Sequence, residues 1–289
     1  MDRRWWALVR VAAGAAVLGI LAWRVGTQPF VAGLRAVGPG SVLAALALVG
    51  GTTVCSAERW RLIARTAGVS MTTRDAVAAY YRSQFLNSVL PGGIVGDVHR
   101  AIAHRTVRSV VVERVVGQAV QIAVGLLVVL VAWPADIAPS TPVLAACAAG
   151  GILVLAGLVL VLTDRTYLDV ETVPAVLGLS ALASAGHAVV FLVAAHAVGV
   201  DANDGTLAAL AFVVLVAAAL PTNIAGWGPR EGAAAWVFAL VGLGAATGTS
   251  VATTYGVLAL LATLPGALLL VRRPTTAVEP ERESVAAHG

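Results

Sequence analysis

The sequence predicts an all-α, polytopic membrane protein, and three observations lead there. Residues of the types AVILMFWYC make up 59% of the 289 positions. Only 12% are charged, against roughly 25% in an ordinary soluble domain. Charge is also shut out of long stretches: there is none from Gly232 to Val271, and only Asp136 between Val115 and Thr163. A soluble fold of this length needs a charged shell that so few residues cannot supply. That excludes a globular cytosolic enzyme, a disordered chain and a secreted disulfide scaffold. Cys55 and Cys147 both lie in apolar runs and imply neither a disulfide framework nor a zinc site. No cofactor and no metal is expected.

A helix crossing ~30 Å of hydrocarbon needs about 20 mostly apolar residues. About six full crossings meet that requirement: Trp6 to Val25, Ser41 to Trp60, Ser109 to Trp133, Pro142 to Thr163, Pro174 to Gly199 and Gly248 to Val271. The first reads as a retained signal-anchor, because Arg10 interrupts it and Ala22-Trp23-Arg24 is a poor cleavage site. Trp5, Trp6, Trp23, Trp60 and Trp133 fall near span ends, where interfacial anchors belong. Gly50-Gly51 and Gly150-Gly151 read as close helix packing. Two further stretches, Asp75 to Arg105 and Gly205 to Leu243, are apolar but broken by Pro, Gly and polar residues, and are expected to form re-entrant hairpins. Residues 1–273 are thus read as one integral membrane domain, and 274–289 as a short, polar, disordered cytoplasmic tail.

All 19 basic residues are arginine, and their placement sets an orientation. With the N-terminus inside the cell, the cytoplasmic face collects Arg3, Arg4, Arg59, Arg61, Arg65, Arg74, Arg100, Arg105, Arg108, Arg114, Arg165, Arg272, Arg273 and Arg282. The outer loops hold only Arg24 and Arg35. This positive-inside bias predicts a multi-pass protein of the cell (plasma) membrane with both termini cytoplasmic. It is bilayer patterning and points to no nucleic-acid partner.

The two broken stretches repeat each other. Leu90-Pro91-Gly92-Gly93-Ile94-Val95-Gly96-Asp97-Val98-His99-Arg100 and Leu220-Pro221-Thr222-Asn223-Ile224-Ala225-Gly226-Trp227-Gly228-Pro229-Arg230 share five of eleven positions without a gap. In the orientation above, the first is entered from the cytoplasm and the second from outside. Paired breaks of opposite orientation point to an inverted-repeat transport site. Pro91 removes a backbone donor and Gly92-Gly93 tolerates the following turn. A helix restarting near Gly93 or Val95 turns its free N–H groups and positive end toward an anionic group. Gly96 and Arg100 then share one face, where Gly leaves room and Arg can fork onto a phosphate. In the second break Pro229 suits a first helical position, with Arg230 and Glu231 in the first turn. A charge in the membrane interior reads by default as functional.

Asn87-x3-Pro91-Gly92-Gly93-x2-Gly96-Asp97-x2-Arg100-Ala101, with Glu113-Arg114 following, resembles the first signature of the lysylphosphatidylglycerol synthase transmembrane family. This is the flippase-like membrane domain of the multiple peptide resistance factor and its stand-alone relatives. Pro221-x4-Gly226-x-Gly228-x-Arg230-Glu231 resembles the second signature, with Pro229 standing where the family pattern has an aliphatic residue. The resemblance runs from about residue 5 to 273. It implies a protein that moves, or helps move, an anionic or aminoacylated lipid between leaflets. Bifunctional relatives carry a soluble aminoacyl-transferase domain after the membrane domain; here a short tail follows Pro274, so aminoacylation by this chain is not expected.

The expected headgroup ligands are therefore Arg100 and Arg230, with Asp97 and Glu231 orienting them or recognising a cationic substituent. Asn87, Gly92, Gly93, Gly96, Gly226 and Gly228 shape the breaks. Asn223 holds a headgroup or caps its turn, and Arg82 faces the cavity. Glu113-Arg114 reads as a local or interhelical ion pair ahead of a substrate ligand, and His187 and His196 as interhelical hydrogen-bond partners ahead of a proton relay. The substrate class is a membrane phospholipid or lipid-linked headgroup, and the protein is read as a transporter and not an enzyme. Such a protein can pair with a lipid-modifying enzyme or with copies of itself. Two other readings stand beside it: an intramembrane enzyme using Asp97, His99 and His104 on a lipid-linked substrate, and an accessory subunit of envelope lipid synthesis with no turnover of its own.

Overall fold

The computed structural model describes residues 26–90, 93–133, 141–163, 169–219 and 227–271, together with Gly19 and Trp23. Its elements are all α-helices: α1 (Gln28–Arg35), α2 (Pro39–Thr66), α3 (Thr73–Val89), α4 (Val95–Ala103), α5 (Val107–Ala132), α6 (Thr141–Thr163), α7 (Val173–Val198), α8 (Asp204–Ala218), α9 (Pro229–Leu240), α10 (Ala245–Thr263) and α11 (Pro265–Val271). Local chemistry sets many of the ends. Thr72 Oγ1 accepts the Asp75 amide at 3.2 Å to start α3, and Asn203 Oδ1 accepts the Thr206 amide at 2.8 Å to start α8. Proline stands in the first turn of α2, α7 and α9, where its missing donor costs nothing. α7 ends on Gly199 in the left-handed region at φ 82°.

Four stretches are long and apolar enough to cross a membrane: α2, α5, α7 and the run Ala245–Leu270 through α10 and α11. They coincide with four of the expected crossings, so the chain is a polytopic membrane protein. The expected crossing from Pro142 to Thr163 is helical throughout as α6. The first, Trp6 to Val25, lies outside the described residues except for Gly19 and Trp23, as does the tail 274–289. Each broken stretch resolves into two helices on either side of its break, α3 with α4 and α8 with α9.

Helix α2 packs along α7, and α10 contacts α1, α2, α7 and α9. Helix α5 contacts α6, α7 and α8, while α4 rests on α3 and α5. The main apolar core fills the space among α2, α7, α8, α9 and α10. At its centre Phe191 of α7 faces Phe238 of α9 at 6.3 Å and Tyr255 of α10 at 5.8 Å between ring centroids. Tilted aromatic pairs at such distances add to plain burial.

The packing corrects three local expectations. Trp60 is not an interfacial anchor but fully buried, whereas Trp23 is 77% exposed. One glycine of each pair packs closely, a β-carbon on Gly50 lying 3.3 Å from the Tyr81 hydroxyl and one on Gly150 3.0 Å from Ile122 Cγ2, whereas Gly51 and Gly151 face open space. A closer helix contact falls at Gly186, where a β-carbon would overlap Thr52 Cγ2 across the α2–α7 interface.

That overlap predicts an asymmetry between two glycines of α7. Gly186→Leu should cost about 1–3 kcal/mol through overpacking. Gly178→Leu, with nothing within 4 Å of its would-be β-carbon, should be neutral. Heating the detergent-solubilised protein and following its gel-filtration peak separates the two; equal loss of the peak would contradict this packing.

Candidate functional site

Four helices bring polar side chains into a membrane-spanning region, each with the same spacing. Thr52, Ser56 and Arg59 lie on α2; Tyr80, Gln84 and Asn87 on α3; Arg114, Gln118 and Gln121 on α5; Ser180, Ser184 and His187 on α7. Every set runs i, i+4, i+7, one face of an α-helix. Most of these residues line a common cavity of about 230 Å³. That falls just under the ~300–1,000 Å³ usual for ligand pockets. It has room for a headgroup but not for a lipid with its tails.

Glu113 of α5 is the hub of the cavity floor and has no exposure. Its Oε1 accepts Arg59 Nε at 3.0 Å, a second and shorter bond from Arg59 Nη2, and the Tyr80 hydroxyl at 3.1 Å. Its Oε2 accepts Arg100 Nη2 at 3.1 Å. Arg59 extends the network to α7 through Nη1 and Ser180 Oγ, 3.1 Å apart. Gly117 makes this possible: a β-carbon there would lie 2.8 Å from the Arg59 guanidinium carbon.

Asp97, in the first turn of α4, is the second anionic centre. Oδ1 accepts Ser83 Oγ and Arg100 Nη2, both at 3.0 Å. Oδ2 accepts Asn87 Nδ2 at 2.9 Å and a short bond from Arg114 Nη2. Arg114 also reaches the Gly93 carbonyl at 3.4 Å, which ties the break to α5. Three guanidinium groups thus surround two carboxylates, leaving one positive charge in excess. Arg59 and Arg100 are buried, whereas the Arg114 side chain is 42% exposed.

Arg100 is fully buried, sandwiched between the Trp60 ring at 4.5 Å and the Tyr80 ring at 4.3 Å. Its Nη2 bridges Asp97 and Glu113, while Nε and Nη1 have no hydrogen-bond partner. The two aromatic faces take the place of those missing acceptors. Arg100 does not line the cavity.

Side chains of the protein meet the described edges of the first break. Helix α3 ends at Val89, Gly93 takes φ 62°, and α4 begins at Val95. Pro91 and Gly92 lie outside the described residues. Asn87 Oδ1 accepts the Gly96 amide at 2.7 Å. The expected room at Gly96 is filled as well, since a β-carbon there would overlap the Ser83 carbonyl. Gly96 therefore serves the close approach of α3 and α4, and one free amide of the restarting helix is taken by Asn87, with Asp97 in the first turn.

The second break has parallel chemistry. Gly228, at φ 112°, precedes α9, and its amide donates to Glu231 Oε2 at 2.7 Å. Glu231 Oε1 takes Arg230 Nε at 2.9 Å and Nη2 at 2.6 Å. The buried Arg230 guanidinium lies 5.0 Å from the Trp227 ring and 5.6 Å from the Tyr255 ring, in space left by Gly256. Asn223 and Gly226 lie outside the described residues. Arg230 does not line the cavity, but a short path joins them: the Tyr255 hydroxyl lies 3.2 Å from His187 Nδ1, and His187 faces the cavity.

Other expected residues fall elsewhere. Arg82 is half-buried, does not line the cavity, and leaves Nε without a hydrogen-bond partner. His99 is exposed, and His104 stacks edge-on against Trp60 at 5.3 Å. Burial, then the charges of Arg82 and Arg100, hold the His104 pKa below its usual value. Among the described residues no hydrogen bond joins Asp97 to either histidine, and no cluster of three metal-ligating side chains occurs. His196 Nε2 lies 3.0 Å from Asp204 Oδ1, on the next helix. Sequence reasoning missed Arg59, Gln84, Gln118, Gln121 and Ser184 as cavity residues. Their common helical spacing was the signal that could have found them.

The family model described as lysylphosphatidylglycerol synthase TM region matches residues 7–169. That segment holds the first break and the α2, α3 and α5 walls of the cavity, and ends before α7 and the second break. No curated protein and no solved structure matches the chain.

The network makes an energetic prediction. Glu113→Gln leaves Arg59 and Arg100 buried without their shared counter-charge and should cost about 3–5 kcal/mol. Glu58→Gln breaks only a partly exposed pair with Arg61 and should stay within ~1 kcal/mol. Thermal unfolding in detergent measures both, and comparable shifts would show that Glu113 is not the hub.

Proposed function

The chain belongs to the lysylphosphatidylglycerol synthase transmembrane-region family, and on that footing we propose that it is a flippase-like lipid transporter. Its substrate is the polar headgroup of an anionic, aminoacylated or lipid-linked membrane lipid, carried between leaflets. The observation that carries this reading is a polar cavity with excess positive charge, set among helices long and apolar enough to cross a bilayer. A headgroup crossing hydrocarbon loses its hydration, and the cost falls if fixed polar groups replace the lost water. The cavity volume admits the headgroup while the acyl tails stay in lipid.

Within this reading the residues divide the work. Arg114, the accessible guanidinium, meets the phosphate; Arg59, Glu113, Arg100 and Asp97 hold the floor rigid behind it. The two helix–break–helix units act as the oppositely oriented halves of an inverted repeat, dipping into the membrane from the two sides. Arg230 acts on the cavity through Tyr255 and His187 and not by direct contact. The arginine distribution supports cytoplasmic termini in the plasma membrane. The involvement of Asp97 in four hydrogen bonds, and the exposure of His99, support transport over catalysis.

Reconstituted proteoliposomes test the proposal through the rate at which a fluorescent anionic phospholipid becomes accessible to a membrane-impermeant quencher. Arg114→Gln removes charged hydrogen bonds worth roughly 1.5–3 kcal/mol each and should slow translocation about 10- to 100-fold. Arg108→Gln, on the exposed face of the same helix, should not. Rates equal to those of empty vesicles would leave the protein a non-transporting role.

A further inference from the structure

We infer that the cavity selects a headgroup in which a phosphate is joined to a neutral polyhydroxyl group, a sugar or polyol, and rejects an aminoacylated headgroup bearing an ammonium. The inference deepens the transport reading and rests on it for the position of the phosphate.

The first argument is the acceptor count. An ionised carboxylate offers about four lone-pair sites. Glu113 receives four hydrogen bonds, from Arg59 Nε, Arg59 Nη2, Tyr80 and Arg100. Asp97 also receives four, from Ser83, Arg100, Asn87 and Arg114. Asp97 is thereby saturated at both oxygens, while Glu113 takes three bonds on Oε1 and one on Oε2 and is already paired with two guanidinium groups. An ammonium entering the cavity meets no free carboxylate and an excess positive charge, so it loses hydration without a matching partner.

The second argument is what remains unused. Gln118, Gln121, Ser56 and Ser184 face the cavity without a side-chain hydrogen bond among the described residues. Gln84 is anchored at one end of its carboxamide by Thr53 Oγ1 at 2.8 Å, which leaves the other end free. His187 is held at Nδ1 by Tyr255 and keeps Nε2. These groups are neutral and include both donors and acceptors. A glutamine in an apolar span is costly, and two on one helix face need a reason. Carboxamides and hydroxyls facing one another across a small cavity match the alternating donors and acceptors of a polyol.

The third argument is geometry along α5. Gln118 and Gln121 lie about 6 Å and about 10 Å along the helix axis from Arg114, at 1.5 Å per residue. A phosphate at Arg114 therefore places the group attached to it beside the carboxamides. The three residues share one face, so a single elongated headgroup can touch all of them.

The experiment uses the full chain in proteoliposomes with three fluorescent lipids of matched tails: phosphatidylinositol, phosphatidic acid and lysyl-phosphatidylglycerol. Phosphatidylinositol should cross at least about tenfold faster than either of the others, the effect of one or two net hydrogen bonds. Gln118→Leu combined with Gln121→Leu, which should fold because it makes the span more apolar, should shrink the ratio of phosphatidylinositol to phosphatidic acid toward one. Lysyl-phosphatidylglycerol crossing as fast as phosphatidylinositol overturns the inference and leaves transport standing. Equal rates for phosphatidylinositol and phosphatidic acid also overturn it, because the polyol is then not read. If no lipid crosses faster than in empty vesicles, transport itself fails. Retention of the same three lipids by the detergent-solubilised chain, compared by native mass spectrometry, then decides selectivity alone: preferential retention of phosphatidylinositol supports it, and equal retention refutes it.

Discussion

A carboxylate with no exposure, on a helix built to cross a membrane, persists only while its charge is matched from within. Glu113 is matched by Arg59 from α2 and Arg100 from α4, with Tyr80 of α3 adding a hydroxyl. The idealised cost of moving one such ion out of water is of order 20 kcal/mol, so its partners are not interchangeable decorations. Because each partner comes from a different helix, satisfying one charge fixes the relative positions of four helices. Arg59 adds a fifth through Ser180 of α7. The cavity is the space left above this network, and its shape follows from it.

Arg100 shows how far this constraint reaches. Only one of its nitrogens is hydrogen-bonded, yet the guanidinium is fully buried between two aromatic rings. A flat, weakly hydrated cation can be held that way where a lysine ammonium could not. Trp60 and Tyr80 are thus part of the electrostatics as well as the packing. The consequence is that the most conspicuous arginine of the first break supports the site from behind, and Arg114 meets the open space.

The two breaks meet a common problem with related chemistry. Interrupting a helix inside a membrane frees backbone N–H groups that lipid cannot satisfy. In the first break a side-chain amide oxygen, from Asn87, takes the Gly96 amide; in the second a carboxylate, from Glu231, takes that of Gly228. Each break thus has one of its free amides met by a side chain of the protein itself. The Gly96 amide itself is therefore taken, while the polar side chains of α5 face the cavity.

The membrane class, four of the crossings and the positions of both breaks were legible in the sequence, because composition and apolar run length depend on local residues alone. Pro229 at the start of α9 and the restart of α4 at Val95 were equally legible, since caps and breakers act within one turn. Arg100 and Arg230 stood out by their place after the breaks, but the roles of the interior arginines of the first half did not. Arg59, Arg100 and Arg114 carry the same charge as the interfacial arginines beside them, and sequence position alone assigned all three to the cytoplasmic face. The polar i, i+4, i+7 sets on α2, α3, α5 and α7 were present in the chain, but helical periodicity says only that each helix has a polar side. Which polar sides face one another is decided by how the helices pack, at contacts such as Gly186 against Thr52 and Gly117 beneath Arg59. The sequence by itself determined that this chain lives in a membrane and where it bends; only the tertiary structure decided which charges neutralise each other and which one, Arg114, stays partly exposed beside the cavity.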